Sequence, residues 1–163
     1  MMISNSRSDE AIVEVHATPE ELFDYLDDQT RLASHMTNSS KMMIGGRMTY
    51  KFDEANGRAV GSVINMGGKI LGFELHVEEV ITEHQRPIRK AWETRGQPRI
   101  LIMGAYRMGF EITPSGNQSN LSVNIRYERP LSLTGRLLSP ILAPMYARWC
   151  VTSMATDAAH HFS

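Results

Sequence analysis

The stretch LSVNIRYERPLSLTGRLLSPILAPMYARW, residues 121–149, contains the change of pattern that decides the fold. Before Pro130, apolar side chains occupy every second position, beginning with Leu121 and Val123, as in a strand with one buried face. After Pro130, the apolar positions follow helical spacing. The side chains predicted to share the buried face of this helix are Leu138, Ile141, Leu142, Met145, Trp149 and Thr152. The sequence therefore predicts a last strand, a break at Pro130 and a long C-terminal helix over residues 131–160.

The same two-residue alternation extends backwards through the middle of the chain. The predicted strands span residues 11–16, 47–52, 58–66, 70–78, 90–94, 98–112 and 121–128. Gly67 and Gly68 fit a two-residue hairpin turn, because glycine adopts positive φ without strain, and residues 82–87 are predicted as a loop. One-sided apolar strands need a cover, and the C-terminal helix is the only long helix available.

A short helix is predicted to follow the first strand. Thr18 suits the N-cap, Pro19 suits the first helical position, and Glu21 stands where a capping box needs a glutamate. The apolar stripe of this helix consists of Leu22, Phe23 and Leu26. A second short helix is predicted over residues 30–35.

Three segments carry a resemblance to a known fold. They are VEVHATPEELFDYL at residues 13–26, the Gly67-Gly68 turn and YARWC at residues 146–150. Together with the order of elements, these segments resemble the START-like, or SRPBCC, superfamily, and most closely its polyketide cyclase/dehydrase and lipid-transport branch. The resemblance implies an α+β helix-grip fold, in which a curved antiparallel sheet of about seven strands wraps round the long C-terminal helix and two short helices follow the first strand.

The resemblance covers nearly the whole chain and implies a single domain over residues 1–163, with residues 1–9 as a flexible N-terminal tail. It also implies a deep, mostly apolar cavity between the sheet and the C-terminal helix. Members of the superfamily bind lipids, polyketides, hormones or other apolar molecules, and only some are enzymes. The fold alone therefore does not choose a function.

Composition excludes several other classes of protein. The chain has 163 residues, a formal net charge of −1 and no block of like charge, so it lacks the basic footprint of a nucleic-acid-binding protein. No apolar run approaches the ~18 residues that span a bilayer. Cys150, the only cysteine, excludes an internal disulfide and suits a reducing, cytoplasmic location. The sequence indicates no cofactor and is compatible with a homodimer.

Candidate catalytic groups are sparse on the predicted inner face of the sheet. The strand phases place no carboxylate there. The glutamates predicted to face solvent are Glu74, Glu78, Glu93, Glu111 and Glu128. Lys90, at a strand end, is expected to reach solvent, and Cys150 is expected to be a buried, inert thiol. His160 and His161 point about 100° apart on a helix, so no metal site is predicted.

Aromatic and methionine side chains dominate the same inner face, together with a gap at Gly104. The predicted ligand-binding residues are Tyr50, Trp92, Gly104, Tyr106, Met108, Tyr127, Met145 and Trp149. Apolar walls with a few convergent hydroxyls are typical of small-molecule pockets. The sequence favours binding or transport of a hydrophobic small molecule, such as a lipid, a polyketide or an aromatic compound. The alternative is a cyclase/dehydratase-type enzyme that uses pocket tyrosines and water; a weaker third option is a protein-interaction role.

Overall fold

The computed structural model describes residues 6–28, 47–70, 73–100 and 102–163. These residues form seven strands and two helices in the order β-α-β-β-β-β-β-β-α. The elements are β1 Arg7–Val15, α1 Pro19–Asp27, β2 Arg47–Phe52, β3 Val63–Ile70, β4 Phe73–Gln85, β5 Arg89–Arg99, β6 Tyr106–Ser115, β7 Gln118–Tyr127 and α2 Leu133–His161.

All seven strands belong to one antiparallel sheet with the order β1-β7-β6-β5-β4-β3-β2. Two register shifts interrupt the pairing of β4 with β5, one after His76 and one after Ile81, and such irregularities bend a strand pair. The long helix α2 packs against β1, β7 and α1. The long C-terminal helix predicted from the change of period at Pro130, and the α+β fold with a curved seven-stranded sheet implied by the family resemblance, are both confirmed.

The capping box predicted at the start of α1 is present. The Thr18 hydroxyl accepts a hydrogen bond from the Glu21 backbone N–H at 3.3 Å, and the Glu21 carboxylate accepts one from the Thr18 N–H at 3.0 Å. Leu22, Phe23 and Leu26 are buried on the face that the sequence predicts. The second short helix, predicted over residues 30–35, lies outside the described residues.

Several strand boundaries differ from the prediction. Gly67 and Gly68 do not form a hairpin turn: they lie inside β3, paired with His76 and Leu75 of β4. The predicted loop over 82–87 is mostly strand, because β4 continues to its pairing with the first residues of β5. The predicted tail over residues 1–9 is too long, since β1 begins at Arg7 and pairs with β7 from that residue.

The buried face of α2 is not the one that apolar spacing predicts. Side chains of the predicted stripe are exposed, among them Ile141 at 70% and Met145 at 56%. The buried positions of the first half of the helix carry small side chains, namely Gly135, Ser139, Ala143 and Ala147. Small side chains let the helix backbone approach the sheet closely, so the larger apolar residues lie on the other sides of the helix.

Candidate functional site

The register of the sheet defines its inner face, since directly paired residues point to the same side. The pairs that concern the site are Tyr50 with Met66, Glu79 with Thr94, Trp92 with Met108, and Tyr106 with Tyr127. Five of the predicted ligand-binding residues therefore share one face of the sheet. They are Tyr50, Trp92, Tyr106, Met108 and Tyr127.

A buried carboxyl group stands on this inner face. Glu79 of β4 is only 6% exposed and alternates with Val77 and Ile81, which are also buried. The Tyr106 hydroxyl donates a short hydrogen bond to the Glu79 carboxylate. Burial raises the pKa of Glu79 to about 7, although the hydrogen bond from Tyr106 and the charge of Lys90 act in the opposite direction. A carboxyl group with such a pKa exchanges its proton near neutral pH.

Groups from other elements face Glu79 across the interior. Burial, followed by the charge of Glu79, raises the pKa of Tyr50 to about 12. Burial also raises the pKa of the Cys150 thiol to about 12, which makes this cysteine a poor nucleophile. The pKa of Tyr146 lies well above its usual range, mainly because of the neighbouring Cys150. The phenolic groups are therefore neutral donors at ordinary pH.

A second buried charged cluster lies beneath the end of α1. The Lys90 ammonium donates to the Asp27 carboxylate at 2.7 Å and to the Asp27 backbone carbonyl at 3.3 Å. The His84 ring nitrogen Nε2 lies 3.0 Å from both carboxylate oxygens of Asp27. Lys90 is 1% exposed, so the expectation that it reaches solvent is wrong. The cluster joins α1 to the β4–β5 hairpin.

Gly104 does not border open space on the inner face. The predicted strand over residues 98–112 is two strands, and Gly104 lies in the connection between β5 and β6. A Cβ added there would lie 2.6 Å from the backbone oxygen of Arg129. The Gly104 N–H also donates to the Glu128 carbonyl at 2.9 Å. Glycine is needed at this position because two backbone segments approach closely.

The two predicted site residues of α2 differ in position. Met145 is more than half exposed, whereas Trp149 is half-buried and lies against Tyr146, with ring centroids 5.7 Å apart. Helical spacing places Trp149 and Cys150 on the same side of α2 as Tyr146. The helix thus brings Tyr146, Trp149 and Cys150, but not Met145, towards the interior.

Tyr127, although on the inner face, also lines a separate pocket of about 290 Å³. The other residues that line this pocket are Arg7, Glu128, Arg129, Arg136, Ser139 and Pro140. Burial raises the pKa of Tyr127, and Arg7 opposes that shift through its charge and a hydrogen bond. Within the parts of the chain that the structure describes, no group of three or more histidine, cysteine, aspartate or glutamate side chains could hold a metal ion.

The expectation that no carboxylate points inward is wrong because of Glu79. The sequence does contain a pattern that predicts this position. Val77, Glu79 and Ile81 continue the two-residue alternation of β4, so a predicted strand that extends beyond Glu78 places Glu79 on the inner face. Of the glutamates predicted to face outward, Glu74, Glu111 and Glu128 are exposed, and Glu78 and Glu93 are partly exposed.

Comparison with known families agrees with this architecture. Residues 6–160 match the family described as polyketide cyclase / dehydrase and lipid transport. The chain belongs to this family. No curated protein sequence matches the chain. The family has many structural relatives, and each of those described next is too distant in sequence to indicate more than the fold.

Three solved structures illustrate the family's fold. Norcoclaurine synthase from Thalictrum flavum, as a point mutant with a transition-state analogue, is 14% identical, with 100% of both chains covered and a TM-score of 0.63. Major latex-like protein 151 from Panax ginseng is 11% identical, with 98% of this chain and 99% of that chain covered and a TM-score of 0.63. Protein CV1439 from Chromobacterium violaceum is 14% identical, with 96% and 97% covered and a TM-score of 0.65.

Among the residues that the structure describes, no helix has the length and apolar character needed to cross a membrane.

Proposed function

We propose that this protein binds a hydrophobic small molecule between the inner face of the sheet and α2. The observation that carries this proposal is incomplete burial in the middle of the inner face. The half-buried side chains there are Tyr50, Met66, Thr94, Tyr106, Met108 and Tyr146. A closed core would bury these positions completely, so their partial exposure indicates space that a ligand can fill.

The region where α2 touches the sheet provides the contrast. Leu121 and Val123 of β7 and Ala147 and Val151 of α2 are each 0% exposed. These four side chains are closely packed on the β1–β7 side, where α2 makes its main contacts with the sheet. The space that we assign to the ligand lies towards β2–β6, under the Tyr146 side of the helix.

The helix surface beside this space is apolar. Leu138 and Leu142 lie on the Tyr146 side of α2, about two turns and one turn before it, and both are partly exposed. Exposed apolar surface of this kind costs free energy in water and favours contact with an apolar molecule. It supports a ligand of the lipid, polyketide or aromatic class, with α2 forming one wall of its route inwards.

Two leucine substitutions on α2 test the proposal. Cys150→Leu adds volume on the inward side of the helix, whereas Thr152→Leu adds the same side chain at an exposed position. We expect Cys150→Leu to keep the wild-type melting temperature and to weaken binding of the apolar fluorophore 1-anilinonaphthalene-8-sulfonate at least fivefold. Thr152→Leu should bind like wild type.

Two results would overturn the binding proposal. One is a wild-type protein that neither binds the fluorophore nor retains any small molecule in native mass spectrometry. The other is a loss of about 1–3 kcal/mol of stability in Cys150→Leu with unchanged binding, since this would indicate a closely packed core.

The Glu79–Tyr106 pair favours a second candidate function, a cyclase/dehydratase-type enzyme. A buried carboxyl group whose pKa is near 7 suits a general base or acid. Glu79→Gln should then retain bound substrate that wild-type protein consumes. Incubating the compound extracted from Glu79→Gln with wild-type protein should yield a product lighter by one water after dehydration, or an isomer with a different chromatographic retention time after cyclisation. Recovery of the unchanged compound would contradict the enzymatic candidate.

A further inference from the structure

Glu79 lies in the interior, and among the residues that the structure describes none forms an ion pair with it. Among the described residues, Tyr106 is the one hydrogen-bond donor to its carboxylate. A carboxylate has two oxygens and about four acceptor sites, so one neutral hydroxyl leaves most of this capacity unused. A buried carboxylate in this state is costly unless a further donor or a positive charge reaches it.

The groups that face Glu79 from the surrounding strands and from α2 do not supply that charge. They are Tyr50 of β2, Lys90 of β5, Tyr106 of β6, and Tyr146 and Cys150 of α2. Lys90 is the cation among them, but its ammonium is bound to Asp27 at 2.7 Å. The remaining groups are phenols and a thiol, which stay neutral at ordinary pH.

Three tyrosines interact with the Glu79 carboxylate. Tyr106 donates a hydrogen bond to it, and the charge of Glu79 contributes to the raised pKa values of Tyr50 and Tyr146. The face of an aromatic ring carries partial negative charge. Protonated amines are bound by this combination of a carboxylate and aromatic faces, through charge-assisted hydrogen bonds and cation–π attraction.

We propose that the ligand of this protein is an apolar molecule with a protonated amine, which donates hydrogen bonds to Glu79 while its apolar part contacts the neighbouring methionines and aromatic rings. This inference rests on the proposed binding function and specifies its ligand class. The amine would supply a cation to a buried carboxylate whose hydrogen-bond donor among the described residues is the neutral Tyr106 hydroxyl. A neutral molecule of the same shape would leave Glu79 as it is.

The pairing links binding to pH. With a pKa of about 7, the ionised fraction of Glu79 rises from roughly one-tenth at pH 6 to roughly nine-tenths at pH 8, whereas an alkyl amine stays protonated over this range, like lysine. The cation binds the ionised form. Affinity for the amine should therefore rise about tenfold from pH 6 to pH 8, and affinity for a neutral molecule should not.

Calorimetric titration with octylamine and 1-octanol tests the inference, because these probes differ only in the head group. Both are titrated at pH 6 and pH 8 into wild type, Glu79→Gln and the control Glu93→Gln, whose carboxylate is on the outer, partly exposed face. We expect wild type and Glu93→Gln to bind octylamine about tenfold more tightly at pH 8. Glu79→Gln should bind octylamine weakly and equally at both pH values.

The outcomes separate this inference from the binding function. Equal, pH-independent binding of both probes, or binding of 1-octanol alone, overturns the amine inference and leaves the binding function intact. Binding of neither probe overturns both. Because the comparison of amine and alcohol uses wild-type protein, it decides the question even if Glu79→Gln fails to fold.

Discussion

Two buried carboxyl groups of this chain differ in what surrounds them. Asp27, at the end of α1, is 9% exposed and binds the Lys90 ammonium and the His84 ring. Glu79, in β4, is 6% exposed and receives a hydrogen bond from the Tyr106 hydroxyl. Asp27 contacts the sheet from α1, Glu79 is part of the sheet, and the two are about equally buried. Within the described parts of the chain, Asp27 alone of the two is paired with a cation.

The difference separates a structural charge from a functional one. A buried charge with a full set of partners joins elements together, and the Asp27–Lys90 pair joins α1 to the β4–β5 hairpin. A buried carboxyl group with few partners keeps a raised pKa and accepts a proton or a ligand. We therefore expect substitutions at the first site to reduce stability and substitutions at the second site to change pH dependence and binding.

The largest expected effect follows from Lys90→Met. Methionine matches the length of the lysine stem but leaves the Asp27 carboxylate buried without its cation. Loss of one partner of a buried ion pair costs about 3–5 kcal/mol, measured as the free energy of unfolding in urea at pH 8. A loss below about 1 kcal/mol would mean that Asp27 is not held by Lys90 and would remove the contrast between the two sites.

The next effect concerns Glu79→Gln and depends on pH. A carboxyl pKa raised from 4.5 to about 7 means that the folded protein binds more protons than the unfolded chain between these values. The contribution of Glu79 to stability is therefore greatest below its unfolded pKa of 4.5 and is lost as the pH rises through its folded pKa of about 7. The cost amounts to about 3 kcal/mol at about 1.4 kcal/mol per pH unit. Glu79→Gln should lack this fall.

Urea unfolding of wild type and Glu79→Gln at several pH values checks this result. Because other titrating groups are common to both proteins, the difference between the two curves isolates Glu79. If the free energies of unfolding of the two proteins changed in parallel from pH 5 to pH 8, Glu79 would have an ordinary pKa. This would contradict the conclusion that Glu79 is a buried carboxyl group with a raised pKa.

A smaller effect is expected for Tyr106→Phe, which removes the donor to Glu79. The hydrogen bond stabilises the ionised carboxylate, so its loss raises the pKa of Glu79 further and moves the fall in stability to higher pH. At pH 8 the loss should be about 1.5 kcal/mol, the lower end of the range for hydrogen bonds to charged groups, because Glu79 can protonate instead. If the midpoint of the fall in stability moved to lower pH in Tyr106→Phe, this would contradict the conclusion that the Tyr106 hydroxyl stabilises the ionised form of Glu79.

The smallest effect is expected for Arg86→Met, the control for Lys90→Met. Arg86 donates to Asp24 at 2.7 and 2.9 Å, and this pair also connects α1 to the hairpin, but both side chains are more than half exposed. Exposed ion pairs contribute about 0–1 kcal/mol. If Arg86→Met and Lys90→Met lowered the free energy of unfolding in urea by the same amount, burial of the ion pair would not determine its contribution to stability.

The architecture could be predicted because it depends on local signals. The capping box at Thr18 and Glu21 and the change from strand to helical period at Pro130 are each contained in a few residues. Alternation along β2, β5, β6 and β7 also assigned Tyr50, Trp92, Tyr106, Met108 and Tyr127 to one face.

The rest of the site depends on neighbours distant in the chain. Lys90 is buried because Asp27, 63 residues earlier, neutralises it, and no local pattern indicates this pairing. Gly104 is required by the backbone of Arg129, which the sequence does not place beside it. Glu79 was missed for a different reason, since the predicted strand ended one residue too early and the alternation of β4 was not followed to Ile81.

Two sides of α2 have different roles, and substitutions on one side can leave the role of the other unchanged. Its small residues, such as Ala143 and Ala147, fix the distance to β1 and β7, and a larger side chain at these positions would push the helix away from the sheet. Its other side, with Leu142, Tyr146 and Trp149, borders the space assigned to the ligand. Substitutions at the exposed positions of that side, such as Leu142, cost little stability, so a lineage can acquire new ligand preferences there while the scaffold stays constant.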